Sequence, residues 1–126
     1  SPLKNKRTDE YGGDLMRRAR LLFEVVEAIK LKCGDDFPIV LRISGSEKIP
    51  GGSTIEDTLQ LIPELEKRGV DAFEVSGGSQ YELPNKIMPS HGEECATNLK
   101  EAVRIKEISH VPVLLVGKKT KSMVLC

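Results

Sequence analysis

Two oppositely charged residues, Arg42 and Glu74, interrupt short apolar runs that predict strands over 39–44 and 72–76. Side chains alternate between the two faces of a strand, so each charge lies on the face opposite the larger apolar residues of its run. Consecutive parallel strands usually lie side by side. We therefore expect the two charges to meet on one face of a sheet.

An arginine buried in such a strand has to be paired or bound to a ligand, because its guanidinium does not lose its charge in proteins. Ion-pair networks also place charges in buried strands, and the pattern alone favours a structural Arg42–Glu74 pair. The functional alternative is that Arg42 faces a ligand at the carboxyl ends of the strands, where parallel α/β folds bind their ligands.

Small or polar residues end all three predicted strands. They are Ser44-Gly45, Ser76-Gly77-Gly78 and Gly117. A glycine at such a position lets a ligand approach the backbone, and it also serves the geometry of a turn. At any one strand end the turn explanation is favoured, whereas three together favour a ligand site at this edge of the sheet.

Other polar clusters are weaker candidates. Metal-capable side chains within 91–95 match no spacing known for a metal site, so we predict no metal. These side chains are His91, Glu93, Glu94 and Cys95. Residues 51–54 could hold an anion at a helix N-terminus, but they lack the spacing and lysine of a phosphate-binding loop, which favours a cap and a turn. A solvated tail is the favoured interpretation of the lysines at 118, 119 and 121.

The elements that position these residues alternate between helix and strand. Helical signals cover 14–33, 54–68 and 98–108, and the run 113–116 predicts a third strand. In the first helix one apolar stripe recurs at helical spacing: Leu15, Ala19, Leu22, Val26 and Ile29. This alternation implies parallel strands joined by right-handed helical crossovers, which is the α/β class.

Single residues predict several local features. Asp14 is suited to cap the first helix, and the second can begin at Ser53 or Thr54, since each fits a capping box. Pro63 lies inside the second helical range and is expected to kink or split it. The first strand is expected to be buried on both faces. The third helix is expected to bury Leu99, Ala102, Val103 and Ile105 or Ile108.

The composition excludes several classes of protein. The chain has 126 residues and a mass of 13.9 kDa, which suits one domain. Nineteen Lys and Arg balance nineteen Asp and Glu, which argues against a nucleic-acid binder with a broad basic surface. The apolar runs are short, so we expect no membrane span and no signal peptide. Three cysteines without Cys-x-x-Cys spacing argue against a disulfide framework, so the expected location is the reducing cytoplasm.

Four segments of the sequence carry a specific resemblance. The first runs Ser1-Pro-Leu-Lys-Asn-Lys-Arg-Thr-Asp-Glu-Tyr-Gly-Gly13 and continues to Arg18-Ala19-Arg20. The others are 34–44 with Val40-x-Arg42-x-Ser44, 69–77, and 112–117. Together they resemble the segment after the fourth barrel strand, and the fifth, sixth and seventh strands, of the Old Yellow Enzyme-like NADH:flavin oxidoreductases. This chain departs from the family's Ser-x-Glu-Asn-Arg motif, because Asp14, Met16 and Arg17 precede Arg18.

The resemblance implies a partial (β/α)8 TIM barrel with parallel strands, with 1–126 as a single segment. Such enzymes bind FMN, reduce it with NAD(P)H and pass a hydride to a substrate, often an α,β-unsaturated carbonyl. By resemblance Arg42 contacts the pyrimidine edge of the flavin, where a cation favours negative charge. By resemblance Gly117 lies near the FMN phosphate, with Lys118 beside it. The family's proton donor and substrate-binding residues have no counterpart here, so no catalytic residue is assigned.

A complete barrel needs about 200 residues or more. We therefore expect this chain to be a piece of a longer enzyme, inactive alone, or to self-associate and so cover its open sheet edges. The expected partners are a small-molecule substrate and the remainder of the barrel or a second copy, without nucleic acid or membrane. Two rivals remain open: a non-catalytic half-barrel acting as a binding or assembly module without flavin, and another FMN- or phosphate-binding barrel.

Overall fold

Three helices and four strands make up the part of the chain that the computed structural model describes, which is residues 1–78 and 96–116 and the backbone of 124–125. In chain order they are α1 (Leu15–Cys33), β1 (Val40–Ser44), α2 (Ile55–Glu66), β2 (Ala72–Ser76), α3 (Leu99–Ile108), β3 (Val113–Leu115) and β4 (Val124–Leu125).

The strands form one sheet in the order β1-β2-β3-β4. β1 pairs with β2 and β2 with β3, both in parallel. The predicted α/β class with parallel strands is confirmed. The register sets Arg42 beside Glu74 and Glu74 beside Leu114, so these three residues lie in one row across the sheet.

The fourth strand has no counterpart in the sequence prediction. Residues 124–125 pair antiparallel with β3, with Leu114 opposite Val124. The sequence predicts no clear element over 118–126, which is wrong for these two residues. A two-residue strand carries no periodic pattern, so the sequence gives no signal for it.

The first two helices begin at side chains that cap them. Asp14 accepts a hydrogen bond from the backbone N–H of Arg17 at 3.0 Å. For α2 the structure selects Thr54, whose side chain and that of Asp57 form a complete capping box. Of the two outcomes expected at Pro63, the split is wrong, because α2 runs unbroken through it, and the kink stays a prediction. Only one helical hydrogen bond is lost there, while burial of the neighbouring Ile62 and Leu65 fixes the helix on the sheet.

The core lies between the helices and one face of the sheet. Its buried residues are Ala19, Phe23, Val26, Ile39, Ile62, Leu65, Val70, Phe73, Val75, Ala102, Ile105, Val113 and Leu115. The predicted stripe of α1 contributes Ala19 and Val26 directly, and Leu22 and Ile29 pack against the core. The predicted burial of Val103 is wrong, because it lies about 100° around the helix from Ala102 and is 40% exposed.

The other face of the sheet, which we call the open face, is defined by Val40, Arg42, Glu74 and Leu114. Val40 is 61% exposed, and neither helices nor strands of the described part of the chain cover it. The prediction that β1 is buried on both faces is therefore wrong. Helices within residues 1–78 and 96–116 lack the length and apolar character needed to cross a bilayer.

Candidate functional site

Arg42 and Glu74 meet on the open face. Their side chains lie 3.9 Å apart between Nη1 of Arg42 and Oε2 of Glu74. The predicted contact is confirmed, and it follows from their pairing in register on adjacent parallel strands. The predicted burial of Arg42 is wrong, because its side chain is 53% exposed. The open face leaves the guanidinium in contact with solvent.

The pairing leaves most of the Arg42 guanidinium free. Within the described residues it makes no hydrogen bond, and exposed ion pairs at such distances contribute about 0–1 kcal/mol. Arginine carries five N–H donors and a permanent charge. A planar cation with unused donors on the open face fits the electron-rich edge of a flavin ring, so the residues present are compatible with FMN.

The first glycines after β1 and β2 were expected to admit a ligand or to form a turn, but they admit another part of the chain. A β-carbon on Gly45 would overlap the β-carbon of Glu101, and one on Gly77 would overlap Oδ1 of Asn98. Both contacting side chains belong to the start of α3. The two glycines therefore admit the helix to the strand ends, and the space beside them is filled by protein. Gly78 instead has a φ of 85°, which favours glycine.

A partly buried polar cluster at the same strand ends was missed by the sequence reasoning. Lys48 donates from Nζ to the carbonyl of Thr97 at 2.6 Å and lies 3.3 Å from Oε1 of Glu101. Asn98 is fully buried and donates from Nδ2 to the carbonyl of Val116 at 3.0 Å. The glycines at 45 and 77 were the available signal, since each predicts a close approach by another element.

The loop before α2 behaves as a cap and a turn. The backbone N–H of Ser53 donates to Oε2 of Glu47 at 2.6 Å, and that of Thr54 donates to Oδ2 of Asp57 at 3.0 Å. Carboxylates thus occupy two of the backbone amides of this loop. The cap-and-turn interpretation of residues 51–54 is confirmed.

A cavity of about 250 Å³ lies on the helix side of the sheet, between α1, β1 and α2. Its charged lining residues are Arg18, Glu47 and Asp57. Arg42 and Glu74 are not among them. This cavity is separate from the open face.

Several predicted site residues lie outside the described residues. These are Gly117 and Lys118, both expected near the FMN phosphate, and the clusters at 91–95 and at 119–121. Their assignments stay predictions. In the described part of the chain no group of three or more His, Cys, Asp or Glu side chains is placed to hold a metal ion.

The fold and the open face together define the class of the chain: an α/β segment built as part of a (β/α)8 barrel, with its helices on the outside of three parallel strands. Residues 1–124 match the model of the NADH:flavin oxidoreductase / NADH oxidase family. The chain belongs to this family.

Similar proteins of known name support the same assignment. The chain is 38% identical over 117 residues to the NADH oxidase of Thermoanaerobacter brockii, covering 93% of this chain and 18% of that protein. It is 38% identical over 104 residues to the NADPH dehydrogenase of Halalkalibacterium halodurans, covering 82% of this chain and 29% of that protein. A solved complex of 2-naphthoyl-CoA reductase with 2-naphthoyl-CoA superposes with a TM-score of 0.75 at 28% identity, covering 90% of this chain and 17% of that one. The chain thus spans less than a third of each of these proteins.

Proposed function

We propose that this chain forms the Arg42 side of the FMN site of an NAD(P)H:flavin oxidoreductase that reduces an unsaturated carbonyl-type substrate. The observation that carries the proposal is a loosely paired guanidinium on the open face of a parallel sheet, in a chain of this family. When bound, FMN would accept a hydride from NAD(P)H and supply it to the substrate.

In this proposal the residues of this chain bind and orient the flavin. Arg42 donates to the pyrimidine edge of the flavin and favours negative charge there. Glu74 lies on one side of the guanidinium, 3.9 Å away, and limits the directions in which Arg42 can point. Gly117 and Lys118 contact the phosphate. No residue of the chain is assigned a proton transfer, so the proposal assigns turnover to the assembled barrel.

The remainder of the barrel is the proposed partner, and the alternative partner is a second copy of the chain. β1 is the outermost strand of the described sheet and is paired on one side only. Beside it, Val40 is 61% exposed, and α1 exposes Leu21 and Val25 on its surface. An unpaired parallel edge flanked by apolar side chains is unfavourable in water. A neighbouring β/α unit would pair with the free edge of β1. We also propose the cytoplasm as the location, because the three cysteines lack the spacing of a disulfide framework.

Flavin titration tests the proposal. The chain is titrated into FMN, and the quenching of flavin fluorescence gives the affinity, which we expect to be weak without the rest of the barrel. Arg42→Ala should lower that affinity about tenfold, since a hydrogen bond from a charged group contributes about 1.5–3 kcal/mol.

Arg104→Ala is the matched control for this titration. Arg104 is also about half exposed and also paired with one glutamate, Glu56 at 2.8 Å, but it lies on α3. Its substitution should leave FMN affinity unchanged. Equal affinity of the Arg42→Ala variant and the unsubstituted chain would remove Arg42 from the site.

A non-catalytic half-barrel module is the second candidate function. It is favoured by the protein side chains that fill the space beside Gly45 and Gly77, and by the pairing of Arg42 with Glu74. Under this alternative the chain quenches no flavin fluorescence at any concentration, and light scattering shows a stable self-associated species.

A further inference from the structure

Asn98 occupies the N-cap position of α3 but does not cap it. Its side chain makes no hydrogen bond to the first turn of the helix. Instead Nδ2 donates to the backbone carbonyl of Val116 at 3.0 Å, eighteen residues further along the chain. Asparagine is among the preferred N-cap residues, so this side chain gives up a favourable local bond for a distant one.

The surroundings of Asn98 hold this geometry in place. The side chain is fully buried, and Oδ1 faces Gly77 closely enough to exclude any side chain there. Among the residues that the structure describes, that oxygen has no hydrogen-bond partner, which is unfavourable for a buried acceptor. The Asn98 side chain therefore interacts through Nδ2 alone, and the group that it holds in place is the Val116 carbonyl. Val116 is also tied to β2, because its N–H donates to the carbonyl of Val75 at 2.9 Å.

All three parallel strands are joined at this point. The loop after β1 reaches the cluster through Lys48, which donates to the carbonyl of Thr97. β2 enters through Gly77, whose missing side chain admits Asn98. β3 enters through Val116, the residue directly before Gly117. The first turn of α3 thus sets the relative positions of the carboxyl ends of the sheet.

We propose that Asn98 is a positioning residue that fixes the backbone at the end of β3 and thereby the approach of that backbone to the phosphate of bound FMN. The inference rests on the proposed function, in which the residues after Val116 contact this phosphate. Asn98 itself touches neither cofactor nor substrate in this scheme. It acts through the Val116 carbonyl.

The first test measures the backbone directly, in the chain without flavin. Asn98→Asp and Asn98→Ser both keep a good N-cap residue at the start of α3. Aspartate has no N–H to donate to Val116, and the serine hydroxyl lies one bond nearer the backbone than Nδ2, so both variants lose the bond to the Val116 carbonyl. NMR of the carbonyl carbon of Val116 reports whether that oxygen accepts a hydrogen bond. We expect its resonance to shift in both variants, together with the amide of Gly117. Asn5→Asp makes the same chemical change in the N-terminal segment and should leave both resonances in place.

The second test separates positioning from general structure. FMN and riboflavin differ only in the phosphate, so a misplaced backbone at the end of β3 should weaken FMN binding about tenfold and leave riboflavin affinity unchanged. Equal losses for the two flavins, or shifts confined to residues 97–101 in the first test, would overturn the proposal. If the unsubstituted chain binds neither flavin, the proposed FMN function fails for this chain, and the Val116 resonance still decides whether Asn98 fixes the strand end.

Discussion

Asp71 holds the start of β1 against β2, and its removal gives a quantitative test of the sheet that carries Arg42. Oδ2 accepts hydrogen bonds from the backbone N–H of Ile39 at 2.8 Å and from Nζ of Lys30 at 3.0 Å. These two donors hold the pKa of Asp71 below its ordinary value, and the backbone N–H of Ile39 has the larger effect. Asp71→Asn removes the charge that both donors favour.

The structure sets the size of this effect. A hydrogen bond to a charged group contributes about 1.5–3 kcal/mol when buried. The Asp71 side chain is 49% exposed, so solvent screening reduces the value of its interactions. Lys30 also keeps the carbonyls of Asp35 and Phe37 as acceptors at 2.9 and 2.8 Å. We therefore expect Asp71→Asn to lower the free energy of unfolding by about 1–2 kcal/mol at neutral pH.

The pH dependence has a definite sign. Because the folded chain lowers the pKa of Asp71, the stabilisation is fully present above the ordinary pKa of an aspartate and is lost as the pH falls through the lowered folded value. The amide that replaces the carboxylate in the variant does not titrate. The difference in stability between the two chains should therefore shrink as the pH falls into this range.

Urea denaturation followed by circular dichroism, at pH 7 and at several acidic values, measures both quantities. Asp36→Asn is the control, because Asp36 is exposed in the adjacent turn, and its side chain makes no hydrogen bond or ion pair within the described residues. The reasoning is refuted if Asp71→Asn and Asp36→Asn have the same effect at pH 7, or if the difference between Asp71→Asn and the unsubstituted chain stays constant in acid.

Two further substitutions test single features of the fold. Thr54→Ala should lower the free energy of unfolding by about 1 kcal/mol, because it removes the capping box of α2, whereas Ser53→Ala should not; thermal melting compares them. Gly69→Ala should destabilise more than Gly13→Ala in urea titrations, since both glycines have positive φ (99° and 88°) but only at Gly69 would a β-carbon also overlap the side chain of Lys30. Equal losses for Gly69→Ala and Gly13→Ala would show that the Lys30 contact has no cost.

The order and parallel pairing of the main elements could be predicted from the sequence because local signals and topology agree. Asp14 and Thr54 cap helices where their side chains predict, and alternation within the strands placed Arg42 beside Glu74. The split at Pro63 was wrongly predicted because the rule for proline is local, whereas the burial of Ile62 and Leu65 holds α2 on the sheet.

The candidate site was less predictable because it depends on which surfaces are covered. Alternation shows that Arg42 lies away from the helices, but it does not show what lies over that face, and the guanidinium proved to be half exposed. The contacts that fill the space beside Gly45 and Gly77 come from α3, which is distant from both glycines along the chain. Such contacts leave no local pattern, although the glycines themselves mark a close approach.

The central claim is that the open face around Arg42 receives the flavin ring, and NMR of the arginine side chains tests it most directly. In a chain labelled with ¹⁵N, FMN is added while the Nε–H resonances of Arg42 and Arg104 are followed. We expect a saturable shift at Arg42, reproduced by riboflavin, with none at Arg104. A shift of neither resonance, or equal shifts of both, would contradict the claim and leave the open face without a flavin.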